Sequence, residues 1–183
     1  VGDAKGMIYL VNLDPLKIIY SVKAFSRQTY SVSFYKNMII ATGRDDKKNL
    51  RFFRVTDGSE EDYLPDFRED TRSSSFIYGM YTHAVSTDGL LAVPYYDGTI
   101  HCWNLSSKRE DFILKGQSAP VYDIALADNG QIYYATDTKV GTYDLEGQAD
   151  KKPVYSSNYP VFQLSRNSAN LAALSSDTSI VVI

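Results

Sequence analysis

A chain of 183 residues with 44% apolar and 13% aromatic content carries enough apolar material for a sizeable core. Nineteen Lys and Arg against 22 Asp and Glu leave a net charge of −3, so no strong positive field draws the chain to nucleic acid or to an anionic membrane. Cys102 is the sole cysteine, which excludes an intramolecular disulfide, and neither a secretory leader nor an apolar run near the ~20 residues of a spanning helix is visible, so a cytoplasmic or nuclear protein is expected.

Taken in chain order, Asp3-Ala4-Lys5-Gly6 opens the apolar segment 7–13, which returns as 17–23. A second unit runs through 30–35 and 37–43, turns at Arg44-Asp45-Asp46 and returns as 50–55. In the third, segments 90–95 and 99–105 flank Asp97-Gly98, a strong local hairpin signal. Asp137 stands 40 residues after Asp97 and opens 138–145, and Asp177 stands 40 further on and opens 178–183. A fixed period of this kind is the mark of a repeat protein. Its units fall at about 1–25, 26–70, 76–115, 116–156 and 157–183, and Asp97, Asp137 and Asp177 are the expected structural turn residues, each able to accept backbone N–H bonds in a tight turn. Both termini cut through a unit, so the chain is expected to be part of a larger one.

Many segments lack strict polar alternation: Met38-Ile39-Ile40-Ala41, Leu90-Leu91-Ala92-Val93 and Leu171-Ala172-Ala173-Leu174 are apolar on both parities. Strands of this composition are packed on both faces of their sheet. Turns are punctuated by Asp88-Gly89, Asp97-Gly98, Asn129-Gly130 and Glu146-Gly147, and helical stripes are nearly absent. The fold class is therefore all-β.

The ending Trp103-Asn104-Leu105, the weaker endings Tyr143-Asp144-Leu145 and Phe53-Arg54, and the stretch Gly116-Gln117-Ser118-Ala119-Pro120-Val121-Tyr122-Asp123-Ile124 resemble the WD-repeat (WD40-like) family over essentially the whole chain, with degenerate motifs. The resemblance implies a β-propeller, about four blades of a ring that is usually seven-bladed, with the remaining blades supplied elsewhere. It also implies that Asp97, Asp137 and Asp177 match the family's turn aspartate. Gln117 stands where the family has histidine, so the usual His-Ser-Trp-Asp network is not expected in that blade. The turn Gly43-Arg44-Asp45, with Pro94-Tyr95-Tyr96-Asp97, is faintly similar to WD-repeat subunits of the ASTRA type, which would imply a chaperone-type assembly factor for large kinases.

One interval breaks the rhythm. Asp45 to Asp97 spans 52 residues, and the excess is assigned to an insertion at 56–75 that carries Glu60, Glu61, Asp62, Asp66, Glu69 and Asp70 around Tyr63, Leu64 and Phe67. Such a stretch reads as a solvated loop between blades, or as an acidic docking segment with Tyr63, Leu64 and Phe67 as anchors. Ser59, before Glu60-Glu61-Asp62, fits an acid-directed kinase site. Arg44, Tyr95, Tyr96 and Tyr122 are further candidates for partner binding, because Tyr and Arg are enriched in interface hot spots.

Chemistry-bearing residues are few. His101 and Cys102 are adjacent on a predicted strand and so point to opposite faces, which denies them a nucleophile-base pairing. Cys102 reads as a buried hydrophobe, and His83 and His101 as packed or hydrogen-bonded strand residues. No ligand spacing for a metal and no phosphate-binding glycine loop occurs, so no metal and no cofactor are expected. The expectation is a non-catalytic scaffold that binds protein partners within a multi-subunit complex, without direct nucleic-acid contact, membrane insertion or a small-molecule substrate. A propeller hydrolase whose site is completed by absent blades is the alternative, and a nucleic-acid or phosphoinositide reader is disfavoured by the charge.

Overall fold

The computed structural model describes residues 1–45, 48–64, 67, 82–95, 97–115, 120–127, 130–143, 153–166, 170–177 and 179–182. Strands are the only regular elements among them, and the chain divides into two compact units, Val1–Glu69 and Asp70–Ile183.

In the first unit, β1 (Met7–Leu13) and β2 (Leu16–Lys23) form an antiparallel pair with a bulge at Leu10/Val11. β3 (Thr29–Tyr35), β4 (Met38–Gly43), β5 (Leu50–Arg54) and β6 (Glu60–Glu61) form a four-stranded meander in chain order. Every residue of β4 is buried, as its run of apolar residues on both parities requires. Ile8 and the segment Ala24-Phe25 pack with Ile39, Ala41 and Phe53, so the two sheets share one core. A Cβ on Gly43 would lie 2.3 Å from the Phe25 ring, which rests directly on that backbone.

The second unit stacks three sheets. β7 (Ala84–Val85), β8 (Leu90–Pro94), β9 (Ile100–Asn104) and β10 (Arg109–Leu114) make the first. β11 (Asp123–Leu126), β12 (Ile132–Ala135), β13 (Lys139–Tyr143) and β14 (Tyr155–Ser156) make the second. β15 (Val161–Arg166), β16 (Leu171–Ser175) and β17 (Ile180–Val182) make the third. Ala92, Ile100, Cys102 and Leu114 of the first sheet interlock with Ile124, Ile132, Tyr134 and Tyr143 of the second. The opposite face of the second, with Ala135 and Val140, receives Val161, Leu164, Leu171 and Ala173 of the third. The second sheet is thus apolar on both parities because it has a neighbour on both faces.

The expected insertion at 56–75 needs correction at its start. Residues 56–61 belong to the sheet: Thr56-Asp57-Gly58 is the turn after β5, and β6 pairs Phe53 with Glu60 and Phe52 with Glu61. Gly58, at φ 71, supplies the left-handed residue of that turn and lies under Tyr20 and Val22. The irregular excess therefore begins after Glu61.

Candidate interaction surfaces

The turn aspartates act through one device. Asp97 Oδ1 accepts the Thr99 amide at 3.0 Å and the Thr99 hydroxyl at 2.6 Å, and Asp177 Oδ1 accepts the same two groups of Ser179 at 3.0 and 2.6 Å. These bonds, the Ser179 hydroxyl first, hold the Asp177 carboxyl below its ordinary range. At Asp137 the arrangement differs, since its Oδ1 accepts the Tyr122 hydroxyl at 2.6 Å. Asp57 repeats the device in the β5–β6 turn, taking the Ser59 amide at 2.9 Å and hydroxyl at 2.7 Å. Ser59 is therefore a half-buried turn residue whose hydroxyl is already engaged, not a member of a free loop.

The acidic residues beyond it are likewise engaged. Glu60 meets Arg51 at 3.0 Å, Glu61 meets Arg54 at 2.9 Å, and Asp62 meets Lys48 at 3.3 Å. Tyr63 stacks on Phe52 with ring centroids 5.3 Å apart, Leu64 is 4% exposed, and the Phe67 amide donates to the Leu64 carbonyl at 3.1 Å. Leu64 is thus a packing residue. Asp66, Glu69, Asp70 and the rest of 68–75 lie outside the described residues.

Among the remaining candidates, Arg44 is half-buried and its backbone is tied to the 26–28 segment, its amide donating to Gln28 O and its carbonyl accepting from Arg27 N. Tyr95 is 6% exposed and stacks on His101 with centroids 3.9 Å apart, while His101 Nδ1 contacts Glu110 Oε1. Tyr96 and Gln117 lie outside the described residues. Tyr122 is half-buried, edge-on to Phe162 at 5.7 Å. Arg44, Tyr95 and Tyr122 stand at the ends of strands in three separate sheets.

Two residues that the sequence reading left without a role stand out. Asp123 is buried: its Oδ2 accepts the Leu164 amide at 2.8 Å, its Oδ1 accepts the Ile124 amide, and Thr82 bonds it as well. It ties β11 to β15 and to the segment just before β7. Burial pushes its carboxyl above the ordinary range, against the lowering effect of those bonds. Arg166, at the end of β15, donates from Nη1 to the Leu126 carbonyl at 2.6 Å. An aspartate within the apolar run Pro120 to Ile124 was the available signal for the first, and nothing local marks the second.

Arg166 borders a cleft of about 480 Å³ at the ends of β7, β8, β11 and β15. Val85, Leu90, Leu126 and Ala127 give it an apolar lining, and Asp88 stands on its rim, held by the Ser86 hydroxyl. Ser86, Thr87 and Arg166 add polar groups to that lining, so the recess can take an inserted apolar side chain and pair a polar group beside it.

No protein-family model matches the sequence, and no curated protein matches it. Solved structures do. The chain is similar to the crystal structure of the WD40 beta-propeller domain of Doa1, with a TM-score of 0.79 at 17% identity over 99% of this chain. The fold is that of a WD40 β-propeller. It is also similar to two computationally designed proteins, Ika8 (TM-score 0.74, 15% identity, 99% of this chain and 53% of that one) and Ika4 (TM-score 0.66, 15% identity, 85% of this chain and 89% of that one). The chain spans 58% of the Doa1 propeller chain, and at these identities the likeness is one of fold. The likeness to ASTRA-type subunits finds no support in these comparisons. In propeller terms each four-stranded sheet is a blade, and the inner strand of each blade is its first, which places Asp123 and Leu164 on neighbouring inner strands.

Proposed function

We propose that this propeller is a non-catalytic platform that binds protein partners within a multi-subunit assembly in the cytoplasm or nucleus. The observation that carries the reading is the cleft lined by Val85, Leu90 and Leu126 together with Ser86, Asp88 and Arg166, a recess of mixed apolar and polar lining on a preformed scaffold. Blades that are already packed lose little conformational entropy on binding, so an anchor side chain entering the recess adds to affinity without first ordering the platform. An acid at one edge and a guanidinium at the other would set the orientation of the incoming segment more than its affinity.

The testing experiment is affinity capture with mass spectrometry from the complete protein, beside Thr87→Arg/Asp88→Arg, which crowds the mouth of the cleft at two exposed positions, and beside a deletion of 68–75. Stoichiometric partners lost only with the cleft variant support the platform and its site. Loss only with the deletion moves docking to the acidic segment. No partner at all, with turnover of a glycoside or peptide library, would favour the hydrolase reading instead. Phosphorylation of Ser59 fits this scheme as a switch, since a phosphate there would face Asp57 and Glu60 and break the β5–β6 turn; mass spectrometry finding Ser59 always unmodified removes it.

A further inference from the structure

The cleft between the first two sheets of the second unit opens at the end of an otherwise closed interface. Ala92, Ile100 and Ile132 are fully buried in that interface, whereas Leu90 and Leu126, which continue its core toward the cleft, are only half-buried, as is Val85 beside them. Apolar surface is thus left for an incoming side chain at a seam between packed sheets rather than on a free face.

Its walls are set before anything binds. The turn from Ser86 to Leu90 is closed by Ser86 N donating to Leu90 O at 2.9 Å, Leu90 N to Ser86 Oγ at 2.9 Å and Gly89 N to Ser86 O at 3.1 Å, while the Ser86 hydroxyl donates to Asp88 Oδ1. The matching turn of the next blade is closed by Ala127 N to Gln131 O at 2.8 Å and Gly130 N to Ala127 O at 3.0 Å. Arg166 reaches across from β15, and its bond to the Leu126 carbonyl at 2.6 Å places the guanidinium at the cleft. A guanidinium carries several N–H donors in a planar fork that matches a carboxylate, so bonds within the chain hold it in place without exhausting it.

The two charges differ in exposure, and that difference sets what each demands. Arg166 is half-buried, so an occupant seated over it removes further water and must supply an acceptor in exchange. Asp88 is exposed on the rim, where it stays hydrated and acts mainly by repelling a second acid. A neutral apolar segment would leave the guanidinium desolvated, and a basic one would meet it with like charge.

We infer that the occupant of this cleft is a peptide segment in which an apolar side chain, seated against Val85, Leu90 and Leu126, stands next to an aspartate or glutamate that pairs with Arg166. The inference rests on the platform reading above and adds the chemistry of the partner to it. Asp88 admits a lysine or arginine on the other side of the anchor and excludes a second carboxylate.

The test is an NMR titration of the protein that follows the amides of Gly89 and Gly130 and the Arg166 Nε–H, using short peptides built on a central leucine. The reference peptide carries Glu on one side of the leucine and Lys on the other; in a second, Glu becomes Gln, in a third, Lys becomes Gln, and in a fourth, Lys becomes Glu. Concentrations up to about 5 mM register the millimolar affinity of a single anchor. The reference peptide should shift these signals, loss of its Glu should raise Kd at least about tenfold, and loss of its Lys should change Kd less than about threefold. The peptide with two glutamates should bind more weakly than the reference. Arg166→Gln should level the Glu and Gln peptides with circular dichroism unchanged. Because Arg166 also holds Leu126, Asp88→Lys, at an exposed position, is the second variant and should recover binding of the peptide with two glutamates. Equal affinity of the unaltered protein for the Glu and Gln peptides overturns the inference, as does tighter binding of the Gln peptide or the absence of a shift with any of them. The platform reading fails independently, if Thr87→Arg/Asp88→Arg costs the complete protein none of its captured partners.

Discussion

At the scale of single residues, burial decides the chemistry. His83 is 5% exposed, and burial lowers its pKa from 6.5 to about 4. The folded chain thus holds His83 neutral where the unfolded chain would protonate it, so the unfolded state binds the extra proton between about pH 6.5 and pH 4 and stability falls as pH drops through that window. The cost is at most about 3 kcal/mol by the free-energy equivalent of the shift. In urea titrations, His83→Gln should flatten the difference between pH 7 and pH 4.5; an unchanged slope would remove His83 as its source. Asp123 makes a separate prediction. Asp123→Ala leaves the Leu164 amide without that acceptor and should cost about 1–3 kcal/mol, whereas Asp123→Asn keeps an acceptor oxygen and should cost less. Equal losses in the two variants would show that charge, not the acceptor, matters there.

At the scale of elements, the instructive case is the segment after β5. Composition marks Glu60, Glu61 and Asp62 as solvated, but cross-strand register sets them beside Arg51, Arg54 and Lys48, and register is not written in composition. The Asp57-Gly58 dipeptide, the same signal as Asp97-Gly98, was the legible clue to that hairpin. Exposed pairs of this kind contribute little each, about 0.2–1 kcal/mol, so the element rests on Tyr63 and Leu64 against the sheet. Leu64→Ala should destabilise by about 2–5 kcal/mol in chemical denaturation, and deletion of 56–75 should be far more damaging than deletion of 68–75. Equal tolerance of both deletions would place β6 and Leu64 outside the folded unit. The strands themselves were readable because apolar runs on both parities have only one stable setting, a sheet covered twice. The burial of Tyr95 and Leu64 was not readable, because it depends on residues far away in the chain.

At the scale of the molecule, the repeat period announced the architecture, while anything the propeller binds depends on surfaces whose shape no period encodes. The net charge of −3 supplies no long-range attraction to a phosphate backbone. The chain is accordingly expected to pass through heparin unretained at physiological salt; retention that weakens steeply as salt rises would reveal a basic patch hidden by the average.

The strand registers of neighbouring blades limit how the repeats can diverge. Gly130 follows Gly89 by 41 residues whereas Asp137 follows Asp97 by 40, so β12 starts one residue late and the turn after it is one residue shorter. Ala135 meets Val140 across four residues, where Pro94 meets Ile100 across five. A lone one-residue insertion would turn a strand over and present its core face to the wrong neighbour. Length changes are therefore tolerated here in compensating pairs, one ahead of the strand and one within the turn that follows it, and blades can drift far apart in sequence while keeping their two sides unexchanged.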